Sequence, residues 1–108
     1  MITAQFNHLI EDCIEDNLGK RITLVSIAQQ CHISPYYLHR CFSAFHHETF
    51  AKYVTRIKME RAFMIIRTSP LISLTDVALT YGYSDLSSFS RAFKRIHKSS
   101  PNQIRKQE

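Results

Sequence analysis

The sequence predicts an all-α fold of seven helices, in which two helix-turn-helix subdomains are joined by a long central helix. Only two glycines and three prolines occur among the 108 residues, and runs of β-branched residues are few, so strands are disfavoured. Apolar residues recur at three- and four-residue spacing, as in amphipathic helices. A pattern in residues 27–42 returns in residues 77–93, which indicates a duplicated structural unit.

The first two helices follow from apolar spacing and from residues suited to helix ends. Thr3 is expected to cap the first helix, and Gly19 is expected to close it in the left-handed conformation. Thr23 is the expected N-cap of the second helix. The predicted inward positions are Phe6, Leu9, Ile10, Cys13, Ile14 and Leu18 in the first helix and Leu24, Ile27, Ala28 and Cys31 in the second.

The third and fourth helices have the clearest signals. Ser34 and Pro35 mark the start of the third, because serine is a favoured N-cap and proline fits the first helical position. The longest periodic run predicts one helix from about Phe50 to Arg67. The predicted buried positions are Leu38, Phe42 and Phe45 in the third helix and Phe50, Tyr53, Val54, Ile57, Ala62, Ile65 and Ile66 in the fourth.

Polar caps also define the last three helices. Ser73 is expected to cap the fifth helix, and Asp85 to start a sixth that runs to about Ile96. Pro101 is expected to start the seventh, with Ser100 as its cap.

The internal repeat predicts the function as well as the fold. Each copy has an aliphatic residue and alanine, a serine six residues after the alanine, and then an apolar-x-Arg-x-Phe pattern. Gly82 would supply the positive φ of the second turn, and His32, at the equivalent place, enters the left-handed region more readily than most residues. In helix-turn-helix units the second helix presents side chains to base edges in the major groove. The alternative is a plain helical hairpin.

Charge is unevenly distributed along the chain. Residues 1–54 hold four Lys and Arg against five Asp and Glu, a net charge of −1, whereas residues 55–108 hold ten against four, a net charge of +6. A basic half favours a polyanionic partner such as nucleic acid, although a solvated basic surface would look the same.

Other classes of protein have little support in the sequence. No apolar stretch reaches the roughly 18 residues of a membrane span, so no membrane partner is expected. Cys13, Cys31 and Cys41 lie in helical patterns and are expected to be reduced in a cytoplasm. His46 and His47 near Cys41 match no structural zinc spacing. No phosphate-binding glycine loop or catalytic Ser-His-Asp arrangement is present, so neither an enzyme nor a cofactor is predicted.

The segment DVALTYGYSDLSSFSRAFKRIHKSSPNQIRK, residues 76–106, resembles the second helix-turn-helix and C-terminal signature of the AraC/XylS transcription regulators. The likeness extends back through SIAQQCHISPYYLHRCF and YVTRIKMERAFMI, to cover about residues 5–106. The positions in register are Ala78, Gly82, Phe89, Arg91, Phe93, Lys94, Pro101 and Arg105. The family usually has glycine where this chain has His47 and Lys98, so the two exit turns are expected to be less sharp or strained.

This resemblance implies one DNA-binding domain with a first subdomain at residues 5–48, a linker helix at 49–67 and a second subdomain at 68–108. Its two recognition helices would enter adjacent major-groove segments of double-stranded DNA. The size is similar to that of stand-alone members, which bind as monomers and activate by recruiting RNA polymerase. Two alternatives stay open: the DNA-binding part of a longer effector-responsive regulator, in which a dimer is possible, and a helical adaptor that binds another protein and no DNA.

The recognition helices supply the predicted base contacts. Arginine can pair with guanine O6 and N7, short serines allow close approach to the groove, and Leu86 suits a thymine methyl group. The predicted base-reading residues are Tyr36, His39 and Arg40, which the resemblance places there, and Leu86, Ser87, Ser88 and Arg91, which face outward in the helical pattern. The predicted phosphate contacts are Ser34, Arg56, Lys58, Lys94, Arg95, Arg105 and Lys106.

Overall fold

The computed structural model describes residues 4–106, and all regular structure within that range is α-helical. The helices are α1 (Ala4–Asp16), α2 (Leu24–Gln30), α3 (Pro35–Phe45), α4 (Phe50–Thr68), α5 (Leu74–Thr80), α6 (Leu86–His97) and α7 (Pro101–Lys106). The predicted all-α fold with seven helices is therefore confirmed. Thr3, the predicted cap of the first helix, lies outside the described residues.

Two compact units divide the chain, Met1–Val54 and Thr55–Glu108. The division falls within α4, whose residues 50–54 belong to the first unit. The first unit otherwise contains α1, α2 and α3, and the second contains the remainder of α4 with α5, α6 and α7. Each unit thus contains one helix-turn-helix pair and a core of its own.

The helix starts use the caps that the sequence indicates. Each capping side chain accepts a hydrogen bond from the backbone N–H three residues later, which satisfies one of the donors left free in the first turn. The capping residues are Thr23, Ser34, Ser73, Asp85 and Ser100. These short-range bonds explain why the predicted starts of α2, α3, α5, α6 and α7 agree with the structure.

The first unit has a core around Phe42. Its ring packs edge-on against Phe50 at 5.6 Å and against Tyr53 at 5.3 Å between ring centroids. The aliphatic residues Ile10, Ile14, Ile27 and Leu38 are fully buried around it. The predicted burial of Leu9 and Phe45 is wrong, because these side chains are 58% and 38% exposed. Cys41 is buried instead, since it lies on the same helix face as Leu38.

The second unit has a core around Phe93. Its ring lies 5.7 Å from that of Phe89 and 6.4 Å from that of Phe63. His97 packs 4.5 Å from the Phe93 ring, and its Nε2 is 3.0 Å from the carbonyl oxygen of Met59. Burying one phenylalanine side chain contributes about 1.5–3 kcal/mol. These contacts hold α6 against α4, so the opposite face of α6 stays open.

The two helix-turn-helix turns share one backbone pattern. The residue after the helix cap lies in the left-handed region in both, with φ of 59° at His32 and 84° at Gly82. Such a residue allows two hydrogen bonds back into the preceding helix, the arrangement known as the Schellman motif. The four bonds are Ile33 N to Ala28 O at 3.0 Å, His32 N to Gln29 O at 3.2 Å, Tyr83 N to Ala78 O at 3.1 Å and Gly82 N to Leu79 O at 3.1 Å. The predicted turns at His32 and Gly82 are therefore confirmed.

The backbone conformations predicted at the ends of α1, α3 and α6 have different outcomes. Gly19 is not among the described residues with positive φ, so the expected left-handed closure of α1 is wrong. That helix ends at Asp16 in short turns, with Asn17 N bonded to Ile14 O at 3.0 Å. Lys98 has φ of 64°, whereas α3 ends in extended backbone at His46. The strained exit turn is therefore found after α6 only.

Candidate nucleic-acid interface

The N-terminal half of α3 presents an exposed polar and aromatic face. Tyr36 is 70% exposed, and His39 and Arg40 are also exposed. They lie on the side of α3 opposite Leu38 and Phe42 because residues three and four positions apart share a helix face. Within the described part of the chain, the Arg40 guanidinium has no hydrogen bond or ion pair. This face brings together the three base-reading residues predicted for the first helix.

Tyr37, which neighbours this face, and His39, which belongs to it, also border apolar parts of the first unit. Tyr37 is only 37% exposed, and its ring centroid lies 6.2 Å from that of Phe6, as expected for an aromatic residue at the edge of a core. His39 also borders an apolar groove of about 340 Å³ that Phe42 and Phe50 help to line. His39 can therefore reach either the helix surface or this groove.

The start of α6 carries a chain of three linked side chains, Asp85, Ser88 and Arg91. Asp85 caps the helix, with Oδ1 accepting from the Ser88 N–H at 2.7 Å. Arg91 Nη2 donates to Ser88 Oγ at 3.4 Å. Hydrogen bonds from the backbone and side chain of Ser88, with a smaller effect from the Arg91 charge, hold the pKa of the Asp85 carboxyl below its usual value. Arg91 is thereby restrained on an exposed helix face.

The matched residues of α3 lack this chain. Counting from the N-cap, Ser34, Tyr37 and Arg40 occupy the places of Asp85, Ser88 and Arg91. A tyrosine replaces the serine that accepts from Arg91, and the cap is neutral. The two recognition helices therefore present arginine at the same position with different degrees of restraint.

The outward face of α6 differs from the prediction at one residue. Ser87 and Arg91 are exposed and Ser88 is half-buried, but Leu86 is also half-buried. Leu86 lies three and seven residues before Phe89 and Phe93, so it falls on the core side of the helix. The outward orientation expected of Leu86 is wrong for this reason. Lys94 and Arg95 extend the exposed face along the helix.

The predicted phosphate contacts fall into two groups. Ser34, Lys94, Arg95 and Lys106 are exposed at helix ends or on the outer face of α6. The other three are engaged within the fold: Arg56 pairs with Glu60 at 3.0 Å, Lys58 is 8% exposed beside the Tyr83 ring, and Arg105 donates to the carbonyl oxygens of Ser69 and Ile72. Burial lowers the pKa of Lys58. The partners of Lys58 and Arg105 are distant in sequence, so the charge pattern alone did not show them. The Arg56–Glu60 pair has the i,i+4 spacing that the sequence itself displays.

The sequence predicted Asp85 only as the start of a helix, and its link through Ser88 to Arg91 was missed. An aspartate N-cap three residues before a serine and six before an arginine is a pattern that could have indicated the chain of contacts. The spacing puts all three polar groups on the first turns of one helix.

Other kinds of site have little support in the described residues. Between residues 4 and 106, no helix combines the length and apolar character needed to cross a membrane. The same residues contain no cluster of three or more His, Cys, Asp or Glu side chains arranged to hold a metal ion.

Comparison with known proteins shows that the chain belongs to a helix-turn-helix domain family. The model of this family matches residues 27–107. The Msm operon regulatory protein of Streptococcus mutans is 25% identical over 97% of this chain and 37% of its own length. AdaA of Bacillus subtilis, a bifunctional transcriptional activator and DNA repair enzyme, is 29% identical over 97% of this chain and 49% of its own length. The chain thus spans half or less of these relatives.

Solved structures share the fold. The C-terminal domain of the response regulator YesN from Fusobacterium nucleatum has a TM-score of 0.86 at 24% identity, covering 95% of this chain and all of that one. The DNA-binding domain of AdpA, crystallised with a target DNA, has a TM-score of 0.79 at 19% identity, covering 92% of this chain and 87% of that one. At these identities the likeness concerns the fold.

Proposed function

Since the chain belongs to the AraC-type helix-turn-helix family, we propose that it is a transcription regulator that binds double-stranded DNA sequence-specifically through α3 and α6. One observation carries the proposal. Two helix-turn-helix units with the same turn geometry each present an exposed arginine six residues after the N-cap of their second helix. The net charge of +6 in residues 55–108 agrees with a polyanionic partner.

In the second unit, Arg91 pairs with the O6 and N7 atoms of a guanine. Fixing a long side chain on binding costs about 0.5–1.5 kcal/mol. The contact with Ser88 reduces that cost, because it already limits the rotamers of Arg91 before DNA binds. Ser87 has a short side chain, so the backbone of α6 can come close to the base edges. Ser88 acts mainly by positioning Arg91.

In the first unit, Arg40 makes the matching contact without such a restraint. Tyr36 offers its ring to a thymine methyl group, and His39 donates or accepts a hydrogen bond at a base edge. Because Arg40 must be ordered on binding, this helix discriminates less sharply at its arginine position than α6 does.

Phosphate contacts set the register of both helices. Lys94, Arg95 and Lys106 are exposed cations that neutralise phosphates and release counterions. The backbone N–H groups at the start of α3, next to Ser34, approach a further phosphate. We leave Leu86, Arg56, Lys58 and Arg105 out of the proposed contacts because each faces the fold or is paired within it.

The domain is proposed to act as one unit with subdomains at 5–48 and 68–108 and a linker helix at 49–67, its recognition helices in adjacent major-groove segments. We propose activation through contact with RNA polymerase, in a bacterial cytoplasm, without a cofactor or a catalytic step. The name of AdaA as a transcriptional activator supports activation. The chain binds DNA as a monomer if it acts alone, and as a dimer if it is part of a longer regulator.

Selection of randomised DNA duplexes tests this function. The purified protein is equilibrated with the duplex pool near physiological salt, and bound duplexes are amplified and sequenced. An asymmetric motif of two short blocks, with centres about 10–10.5 base pairs apart, supports reading by both helices. A single block would restrict base reading to one helix.

The same selection on three variants tests which residues read the bases. Arg40→Ala is expected to remove preference at one position in the first block, and Arg91→Ala at one position in the second. Arg21→Ala, an exposed arginine outside both recognition helices, is the matched control and leaves the motif unchanged. Lack of any enriched motif, with binding that disappears steeply as salt rises, would contradict sequence-specific regulation.

A further inference from the structure

The first unit contains two cysteines in a shared cavity. Cys13 lies on α1 and Cys31 is the C-cap of α2, and both are partly exposed, whereas Cys41 is fully buried. The cavity has a volume of about 220 Å³ and is lined by Phe6, Leu9, Cys13, Gln30 and Cys31. All three cysteines are free thiols. A small molecule can therefore reach Cys13 and Cys31, but not Cys41.

A pair of amide side chains holds the two helices in register at this cavity. Asn17 Nδ2 donates to Gln30 Oε1 at 3.0 Å, and Gln30 Nε2 donates back to Asn17 Oδ1 at 3.3 Å. The Cys13 thiol donates to the same Gln30 oxygen at 3.3 Å. Because Gln30 directly precedes Cys31, this network fixes the second cysteine relative to the first.

The electrostatics of Cys31 also report the proximity of the two thiols. Burial raises the pKa of Cys31 to about 11, with further contributions from the charge of Cys13 and from a hydrogen bond to its side chain. Two side chains interact in this way only at short range. Cys31 is protonated at neutral pH, so its reactions as a thiolate speed up as the pH rises.

We propose that Cys13 and Cys31 form a dithiol that closes to an intramolecular disulfide on reaction with a low-molecular-weight disulfide such as glutathione disulfide. The Cys13 thiolate attacks one sulfur of the oxidant, forms a mixed disulfide and releases one glutathione thiolate. The Cys31 thiolate then attacks the sulfur of Cys13 and releases the second glutathione. The protein loses two electrons and two protons, and the oxidant is reduced to two glutathione thiols.

The bond would join α1 to the last residue before the turn of the first helix-turn-helix. Cys31 directly precedes His32, whose left-handed backbone sets the direction of α3. The cross-link also restricts the unfolded chain between residues 13 and 31. The oxidised protein is therefore more resistant to urea than the reduced protein, and the first recognition helix is held more firmly.

Titration in glutathione redox buffers tests the proposal. The protein is equilibrated, quenched in acid, alkylated after denaturation and digested for mass spectrometry. The folded protein is expected to lose two hydrogens, to give a Cys13–Cys31 linked peptide, and to keep one alkylatable thiol at Cys41. Dithiothreitol restores all three thiols. The closing rate should rise about tenfold per pH unit near neutrality, because the thiolate fraction rises by that factor.

The controls separate a built site from chance reactivity. Cys13→Ser and Cys31→Ser should each keep a glutathione adduct on the remaining cavity cysteine, because no second thiol can displace it. The same titration in urea measures the unfolded chain, which should need a more oxidising buffer to close. Closure of the folded protein only in an equally or more oxidising buffer would overturn the proposal. So would a persistent mixed disulfide, or a disulfide between two chains, in the wild-type protein.

Discussion

Removing the side chain of His32 is expected to stabilise the protein. With φ of 59°, His32 lies in the left-handed region, which costs a non-glycine residue about 1–2 kcal/mol, and histidine is at the lower end. Glycine avoids that cost but loses about 0.5–1 kcal/mol through its freedom in the unfolded chain. The His32 side chain is exposed, so little contact energy is lost. With the left-handed cost near 1 kcal/mol, His32→Gly should therefore raise the free energy of unfolding by up to about 0.5 kcal/mol.

The second turn provides the reverse substitution. Gly82 has φ of 84° and makes the same pair of backbone bonds. Gly82→Ala should lower the free energy of unfolding by about 0.5–1 kcal/mol, because the left-handed cost exceeds the entropy gained in the unfolded chain. Gly19→Ala is the matched control, since Gly19 is exposed and is not among the residues with positive φ. This substitution should be neutral or slightly stabilising.

Urea denaturation followed by circular dichroism measures all three variants. If the slope of unfolding free energy against urea concentration is unchanged, only the stability has changed. A difference of 1 kcal/mol would move the thermal midpoint by about 4–8 °C. If His32→Gly lowered the free energy of unfolding, the interpretation of His32 as a strained turn residue would be refuted. If Gly19→Ala were as destabilising as Gly82→Ala, the distinction between the two glycines would fail.

Three further predictions concern α6 and its neighbours. Arg91→Ala should cost about 1–3 kcal/mol of binding free energy at the selected site and relax the preference at one base pair. Ser88→Ala should weaken the same preference, whereas Ser88→Thr should retain it. A uniform loss of affinity for all duplexes would assign Arg91 to a phosphate instead. Lys94→Ala should reduce the slope of log affinity against log salt by about 0.9, and an unchanged slope would contradict its contact with phosphate. Arg105→Ala should mainly lower the stability of the fold, because the bonds of Arg105 join α7 to the α4–α5 connection. Because the pKa of Asp85 is depressed, its carboxylate stabilises the fold fully above the usual pKa of 3.8, and this contribution is lost as the pH falls through the lower folded value. The difference in unfolding free energy between the wild-type protein and Asp85→Asn should therefore shrink over that pH range. A constant difference in urea titrations would refute this role of Asp85.

Several features of the fold were predictable because their causes lie within a few residues. Thr23, Ser34, Ser73 and Asp85 each cap a helix through a bond to the residue three positions later. The turn at Gly82 needs only one residue with positive φ and the carbonyls of the preceding helix. The repeat made the equivalent turn at His32 predictable although the residue is not glycine. The exposed Tyr36, His39, Arg40, Ser87 and Arg91 follow from helical spacing in the same way.

The remaining features depend on what packs across from each residue. Leu9 and Phe45 satisfy the apolar spacing but lie at the margins of the core. The sequence shows that Lys58 and Arg105 are cationic, but only the tertiary structure buries the first and bonds the second to distant carbonyls. Cys13 and Cys31 lie 18 residues apart in the sequence, and no local pattern brings them together. The bond from the Cys13 thiol to Gln30, 17 residues away, forms only when α1 and α2 pack. By itself, the sequence determined the helices, their caps, the duplicated turn and the exposed faces of α3 and α6, because short-range hydrogen bonds and helical periodicity are local. Only the tertiary structure decided which charged and thiol side chains are free to act, because burial and long-range partners arise when helices pack.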